Sequence, residues 1–522
     1  MEGRENEVSD NYKLEVKLDK VLVRGIPFNI KVKTVDDTGK PANVTEKLHL
    51  NVENHQLFQI NEGKETLLND EILIKNGKAE IKNLIIKNIG KMNFVFTTTT
   101  AHANVKTRIL PGLLTLLPPL LAIILALTLK QVVVALLCGI WLGAIFMYDF
   151  NPLISFMRVL DTLIVGAISD PGHVSIITFD FFLGGMVALI YRSGGSMGLV
   201  KSIKKWAKTP RTGQLATWAM GLFIFFDDYA NTLIVGNSMR PLTDKLKISR
   251  EKLSFIVDAT AAPVANVAII STWIGFELSV IGDSLKNVGL NNEPYMVFVQ
   301  SIPYRFYPVL MIIFIFLVSY MMKDFGPMLK AEIRARKTGE VLGKNAKPIS
   351  NIDSAAPEME NVPERWYNAV IPIATVILAT IGGLIYTGFQ GFIQKNGTEA
   401  IAGVKIYQIL NNANSFQSLL WASFLGTAVV IILALSQKIM NLEEAVNTWI
   451  DGAKAIIPAV IILCLAWTIG DICKILKTGP FLATMAEGNI MPQLLPVIIF
   501  VISAVIAFAT GTSWGTMSII MP

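Results

Sequence analysis

Residues 225–236 read Phe-Phe-Asp-Asp-Tyr-Ala-Asn-Thr-Leu-Ile-Val-Gly and place two adjacent acids, Asp227 and Asp228, in the middle of an apolar stretch. A charged side chain at the centre of a bilayer costs about 2.5–3.5 kcal/mol on insertion scales. A continuous helix would bury both carboxylates in lipid, so the stretch favours a chain break at the acids. Basic clusters flank the region on both sides. We therefore predict a re-entrant hairpin over 213–241 that enters the membrane, turns at the acids and returns to the same side.

The rest of the chain divides into a polar part and an apolar part. The protein has 522 residues, of which 52% are hydrophobic and 16% charged, whereas a soluble domain is about 25% charged. Thirty-two of the first 108 residues are charged, against 54 of the remaining 414. Water and lipid are therefore expected as the two solvents. Apolar runs long enough to span a bilayer occur at about 110–129, 131–148, 173–191, 297–322, 366–388, 413–436 and 456–472.

Residues 1–108 alternate apolar and polar side chains as strands do. Turn sequences such as Lys75-Asn76-Gly77-Lys78 separate the alternating segments, and this pattern predicts an all-β sandwich. The region also resembles bacterial immunoglobulin-like domains around 25–28, Gly-Ile-Pro-Phe. It carries no evident pocket chemistry, so a spacer or docking module with an unknown partner is the favoured interpretation. Strands are expected at 12–18, 28–33, 48–52 and 81–84.

Charged loops orient the spans. The basic clusters at 201–211 and 330–347 are expected in the cytoplasm by the positive-inside rule. Tracing back from the first cluster places residues 1–108 outside, although the polar start carries no signal peptide; either an upstream targeting segment is absent from the chain or the orientation is reversed. Both clusters lie on one side, so one of the three apolar regions between them does not cross, and the hairpin is the best candidate. Region 253–281 then crosses as a broken helix, because Pro263 and polar residues interrupt it.

The order of elements repeats along the chain. Segments at 151–168 and 441–455 are each predicted as short interfacial helices that precede a span, a glycine turn and an apolar half with a polar break. The first segment is expected outside and the second inside, which is the inverted arrangement of many secondary transporters. The second half stops at Pro522 inside its own hairpin, so we expect the natural chain to be longer. The predicted membrane segments are a first repeat at 109–325, a cytoplasmic linker at 326–365 and a second repeat at 366–522.

Polar groups at the predicted breaks carry the candidate chemistry. A broken helix frees carbonyl oxygens, and these oxygens together with carboxylates and hydroxyls suit a hard cation such as Na⁺. A desolvated carboxylate beside another acid also binds a proton near physiological pH, so one site can exchange the two ions. We predict Na⁺ binding at Asp227, Asp228 and Asp258. The other candidate ligands are Asn231 and Thr232 at the hairpin, Thr260 and Asn266 on the broken helix, and Thr510, Thr512, Ser513 and Thr516 at the matching break of the second half.

Each of these candidates has a structural alternative. Asp258 has Arg250 and Lys252 nearby in sequence as interfacial partners. The alternative for Asn231 and Thr232 is a cap on the second half-helix of the hairpin. Small hydroxyl residues often pack helices together in membranes, which is a second interpretation of the C-terminal set.

Several classes of function are disfavoured. No Walker-type loop is present, which argues against a primary pump. The three cysteines and four histidines show no zinc spacing. The net charge of +6 comes from basic residues in short loops, a pattern that indicates a membrane surface rather than nucleic acid. We expect no enzyme activity and no cofactor apart from transported ions.

The hairpin sequence, together with 258–265, 271–275 and 510–516, resembles the NhaC family of Na⁺/H⁺ antiporters over roughly 110–522. The resemblance implies a multi-pass carrier of the bacterial cytoplasmic membrane that exchanges Na⁺ for H⁺ by alternating access, and a possible homodimer. Residues 230–232, Ala-Asn-Thr, resemble the Ser-Asn-Thr hairpin tip of the wider ion transporter superfamily.

Two other hypotheses stand beside antiport. Members of the family also carry malate and lactate, so one alternative is a Na⁺-coupled organic-anion or amino-acid carrier. The other alternative is a membrane-anchored sensor or adhesin that acts through its β-sandwich.

Overall fold

The computed structural model describes residues 12–36, 38–52, 57–61, 64–68, 71–129, 131–204, 206–225, 228–287, 289–290, 292–343, 362–397, 404–486, 491–510, 516–517 and 520. The chain forms two compact units. One comprises residues 1–168 and 461–522, and the other comprises 169–460.

The N-terminal region is a sandwich of two five-stranded sheets, as predicted. The strand orders are β1-β3-β8-β5-β6 and β2-β10-β9-β4-β7. Alternating side chains of β3 are buried, and Ile30, Leu48 and Phe94 lie fully buried in the core that the two sheets share. The strands are β1 Lys13–Lys17, β2 Val21–Val23, β3 Phe28–Val35, β4 Glu46–Val52, β5 Phe58–Asn61, β6 Lys64–Leu67, β7 Glu71–Ile74, β8 Lys78–Ile85, β9 Gly90–Thr97 and β10 His102–Leu110.

The remainder of the chain is helical. Six helical segments of the described chain are long and apolar enough to cross a membrane, or eight if each of two bent pairs counts as one span. The helices are α1 Leu117–Leu129, α2 Val132–Met147, α3 Pro152–Arg158, α4 Val165–Ile168, α5 Pro171–Arg192, α6 Gly195–Lys204, α7 Pro210–Phe223, α8 Asp228–Lys245, α9 Arg250–Val267, α10 Thr272–Asn287, α11 Pro294–Ser301, α12 Phe306–Met321, α13 Gly326–Thr338, α14 Tyr367–Asn396, α15 Ile406–Leu410, α16 Ser415–Ser436, α17 Leu442–Ile475, α18 Thr478–Ala486 and α19 Leu495–Thr510.

The sandwich is attached to helical segments of its own unit. The Asp149 carboxylate pairs with Arg108 of β10 at 2.8 Å and with Lys91 of β9 at 3.1 Å. The hydrogen bond from Lys91 holds the pKa of Asp149 below its usual value. Lys477 pairs with Asp19 at 2.9 Å. The loops after α2 and after α17 therefore lie on the same side of the helices as the sandwich.

One predicted boundary is wrong. Residues 441–455 were expected as a separate interfacial helix, but α17 continues through Pro458 for 34 residues. In the first half, by contrast, the helical segment 152–168 ends before α5 begins. The Asp170 side chain caps α5 by accepting hydrogen bonds from Gly172 N and His173 N, and Pro171 is the first residue of that helix. Pro458 follows two isoleucines, which have no side-chain oxygen to cap a new helix.

Candidate functional site

Two helices flank the acidic pair, as the hairpin interpretation requires. A capping box between Thr209 and Thr212 begins α7. This helix ends at Phe223, and α8 begins at Asp228. Neither helix is among the long apolar segments found in the described chain. The described chain thus ends one helix before the acids and begins the next at Asp228, which agrees with the cost of placing carboxylates in lipid.

Asn231 of α8 holds the end of α7. Its side chain is fully buried, and its Nδ2 donates to the Gly221 and Ile224 carbonyls, both at 2.8 Å. These carbonyls belong to the last turn of α7, where no intrahelical donor follows. Because both N–H groups are used, the Oδ1 atom is the remaining polar end, and it has no hydrogen-bond partner among the described residues.

An acceptor in this position favours a cation. A buried oxygen without a donor costs roughly 1–3 kcal/mol. An amide oxygen is also a ligand that hard cations prefer. Asn231 therefore caps the end of the first arm, α7, and not the second half-helix that the sequence alternative named. Its Oδ1 remains available to an ion.

Asp228 connects the hairpin to the second break. The half-buried Asp228 accepts a hydrogen bond at its Oδ1 from Trp273 Nε1 at 3.2 Å. Trp273 is the second residue of α10. The Thr232 hydroxyl donates to the Asp228 carbonyl at 2.9 Å and is exposed, so this hydroxyl serves its own helix in the conformation observed.

Thr260 packs against the same arm of the hairpin. Its buried hydroxyl donates to the Ile256 carbonyl at 2.7 Å. A Cβ placed on Gly221 would lie 2.2 Å from Thr260 Oγ1. The absence of a side chain at Gly221 therefore allows α7 and α9 to approach closely, and the role of Thr260 here is contact between helices.

The second break lies between α9 and α10, which are bent by 44°. Its freed carbonyls were expected to bind a cation, but side chains of the protein donate to three of them. The bonds are Ser271 Oγ to the Ala265 carbonyl at 2.9 Å, Tyr295 OH to the Ile269 carbonyl at 2.7 Å and Arg305 Nη1 to the Asn266 carbonyl at 2.8 Å. These carbonyls thus stabilise the bend.

A buried ion pair supports the same bend. Arg305 Nη2 lies 2.5 Å from Glu277 Oε2, and Asn266 Nδ2 donates to Glu277 Oε1 at 3.3 Å. The Asn266 side chain therefore contributes to this cluster through its amide N–H group. The sequence analysis did not identify Arg305, which interrupts the apolar run 297–322 just before α12.

The other predicted ligands are dispersed or lie outside the description. Asp258 is exposed on α9; it lies two residues from Thr260 and so on roughly the opposite face of the helix. Thr516 is buried, in the unit that contains 461–522. Asp227, Thr512 and Ser513 lie outside the described residues, as does the side chain of Thr510.

One intramembrane acid was missed. Asp180 is near the middle of α5 and only 1% exposed. The rule that identified Asp227 and Asp228 applies to it equally, because it interrupts the apolar run 173–191. A search for single acids in the spans would have found it.

Comparison with known proteins agrees with this architecture. A protein of Haemophilus influenzae described as uncharacterized is 31% identical over 411 residues, which cover 78% of this chain and 76% of that protein. The sequence profile of the Na⁺/H⁺ antiporter family matches residues 264–522. The chain belongs to the Na⁺/H⁺ antiporter family. This membership and the apolar helices make the chain a multi-pass membrane transporter rather than an enzyme, with the bilayer and ions as its partners. The matched segment of the antiporter profile includes the bend after α9 and begins after the hairpin.

Proposed function

We propose that this transporter exchanges Na⁺ for H⁺ across the bacterial cytoplasmic membrane by alternating access. In this proposal the two ions compete for carboxylates at the hairpin tip. Bound Na⁺ and bound H⁺ then exclude each other from one site, and each ion is carried in the opposite direction to the other.

The observation that carries the proposal is the buried Oδ1 of Asn231. This oxygen has no donor in the described part of the chain, and it lies on the first turn of α8 together with Asp228. An amide oxygen and a carboxylate on one helical turn would supply two or three of the oxygen ligands that a hard cation takes. We include Asp227 as the second carboxylate of the tip.

The remaining candidate ligands keep proposed roles. Asp258, on the exposed face of α9, is proposed to attract the cation before it enters. Thr260 and Asn266 are proposed to set the shape of the site through Gly221 and Glu277. Thr510, Thr512, Ser513 and Thr516 are proposed to line the matching break of the second repeat.

The charges near the site favour a cation over an organic anion. The arginine closest to the bend, Arg305, is paired with Glu277 at 2.5 Å. Binding of a carboxylate substrate there would require Arg305 to abandon a buried partner, which costs several kcal/mol. A Na⁺-coupled organic-anion carrier is therefore the weaker hypothesis.

The orientation and assembly are also proposals. The sandwich and the loops at 149 and 477 share one side, and the basic clusters at 201–211 and 330–347 are expected in the cytoplasm by the positive-inside rule. We propose an extracytoplasmic sandwich, and a homodimer as the family resemblance implies.

Inverted membrane vesicles with a pH-gradient dye test the function. Na⁺, Li⁺ or K⁺ is added to vesicles that carry the wild type, Asp228→Asn, Asn231→Ala or the control Asp451→Asn. Asp451 is an acid that is 65% exposed and paired with Lys454. We expect Na⁺ to collapse the gradient in the wild type and the control. Asn231→Ala should raise the half-maximal Na⁺ concentration about tenfold, because roughly 1.4 kcal/mol of ligand energy is lost.

Two results would contradict the proposal. A wild type that ignores Na⁺ but responds to malate or an amino acid together with Na⁺ is an organic-solute carrier. If Asp228→Asn and Asn231→Ala both respond like the wild type, the ion site is not at the hairpin.

A further inference from the structure

The middle of α5 buries an acid that the proposed site does not use. Asp180 is 1% exposed, and its neighbours Phe179 and Leu183 are equally buried in an apolar cluster. An ionisable side chain within a membrane span is expensive and usually lies on an ion or proton pathway.

Asp180 lies beside the bend that Asp228 also contacts. A Cβ built on Gly275 would be 3.7 Å from Asp180 Oδ1, so this carboxylate faces the first turn of α10. The same turn carries Trp273, which donates to Asp228. Two acids from different helices therefore approach the same turn of α10.

A cavity opens along the same helix pair. It has a volume of about 580 Å³ and is lined by residues at the start of α5, the end of α10 and the starts of α11 and α16. Three of its lining residues are acids, Asp170, Asp283 and Glu293. An acidic cavity with low-dielectric walls raises the local concentration of cations.

The cavity and Asp180 share one face of each helix. His173 lines the cavity and lies two turns before Asp180 on α5, whereas Ser279 lines it one turn after Gly275 on α10. Ile176 lies between them, because its Cγ2 would be 2.8 Å from a Cβ on Gly275. The α5–α10 interface thus leads from the cavity, past Ile176, to Asp180.

We propose that Asp180 is an additional cation-binding carboxylate of the carrier, and that a small alkali cation reaches it through this cavity. The inference rests on the proposed function for the direction of transport, but cation binding at Asp180 does not depend on it. The cavity lies at the end of α5 that is predicted to be extracytoplasmic.

The first test is the melting temperature of the purified full chain in detergent, in NaCl against choline chloride at equal ionic strength. We expect Na⁺ to raise the Tm of the wild type and of the control Asp161→Asn, an acid that is 53% exposed. Asp180→Asn, which keeps the shape and removes the charge, should show a smaller Na⁺-dependent rise than the wild type. An unchanged Na⁺-dependent rise in Asp180→Asn would overturn the inference.

Two further variants keep the test informative if Asp180→Asn does not fold. Asp180→Glu retains the charge and should bind Na⁺ with altered affinity. Asp283→Asn, at the cavity wall, should raise the half-maximal Na⁺ concentration at low ionic strength and have less effect at high ionic strength. Wild-type behaviour of both variants would contradict the inference.

Failure of this inference can be told apart from failure of the proposed function. Wild-type vesicles without Na⁺/H⁺ exchange contradict antiport, yet a Na⁺-dependent Tm that is lost in Asp180→Asn still supports the cation site. Antiport in the wild type with normal Na⁺ response in Asp180→Asn overturns only the role of Asp180.

Discussion

The contact between Gly221 and Thr260 allows a sharp test of how the hairpin is held. In Gly221→Ala, the new Cβ would lie 2.2 Å from Thr260 Oγ1 and 2.6 Å from Thr260 Cβ. Rotation of the threonine side chain moves the hydroxyl but leaves its Cβ in place. Because ordinary contact begins at 3.4 Å, α7 and α9 must separate by about 0.8 Å.

This separation has two measurable consequences. Overpacking of a core lowers the free energy of unfolding by about 1–3 kcal/mol. The better helix propensity of alanine offsets up to ~1 kcal/mol of this loss. The Gly221 carbonyl also moves away from Asn231 Nδ2, now at 2.8 Å, to beyond hydrogen-bonding distance. Loss of a bond worth about 0.5–1.5 kcal/mol should raise the KM for Na⁺ roughly 2- to 10-fold.

The matched variant is Gly221→Ala with Thr260→Gly, which removes the Thr260 side chain that the new Cβ at position 221 would meet. Unfolding of the wild type, both single variants and the double variant in detergent should give a favourable coupling energy of about 1–3 kcal/mol. The double variant should also recover the wild-type KM in the vesicle assay. Zero coupling, or a normal KM in Gly221→Ala alone, would refute this account of the hairpin.

Three other perturbations follow from buried contacts. Lys252 and Asp324 form an ion pair at 2.5 Å, and their side chains are 0% and 3% exposed. Lys252→Met should lower the free energy of unfolding by about 3–5 kcal/mol, because it leaves the Asp324 carboxylate buried without its cation. Adding Asp324→Leu should restore most of the lost stability. Burial raises the pKa of Glu293 above 4.5. The contribution of its protonated form to stability is therefore complete below pH 4.5 and is lost as the pH rises through the raised pKa. In Glu293→Gln the Tm should depend less on pH over this range. Trp273→Phe removes the donor to Asp228 and should change the KM for Na⁺ by a few-fold without loss of expression.

The fold class was predictable because its signals are local. Alternation with period two in 28–33 predicts a half-buried strand, and β3 covers Phe28–Val35. Adjacent acids in an apolar stretch predict a chain break, and α7 and α8 meet at that break. Both patterns follow from the solvent preference of neighbouring side chains.

The candidate site was less predictable. Prediction by residue type grouped Asp258 and Asn266 as cation ligands on the broken helix 253–281, whereas Asp258 is exposed and Asn266 joins Glu277 and Arg305. The expectation that the bend leaves its carbonyls free did not consider donors from distant segments. Tyr295, which donates to the Ile269 carbonyl, lies 26 residues away.

The sequence by itself determined that one part of this protein lies in water and the other in lipid, and that the chain breaks close to Asp228. These properties depend on free energies of transfer, which each short segment carries in its own composition. Only the tertiary structure decided that the Asn231 side chain donates to carbonyls at the end of α7 and that Arg305 pairs with Glu277. It also decided that Asp180 lies beside the first turn of α10. Those pairings depend on which helices pack side by side, and this is set by the packing of the whole unit rather than by any one segment.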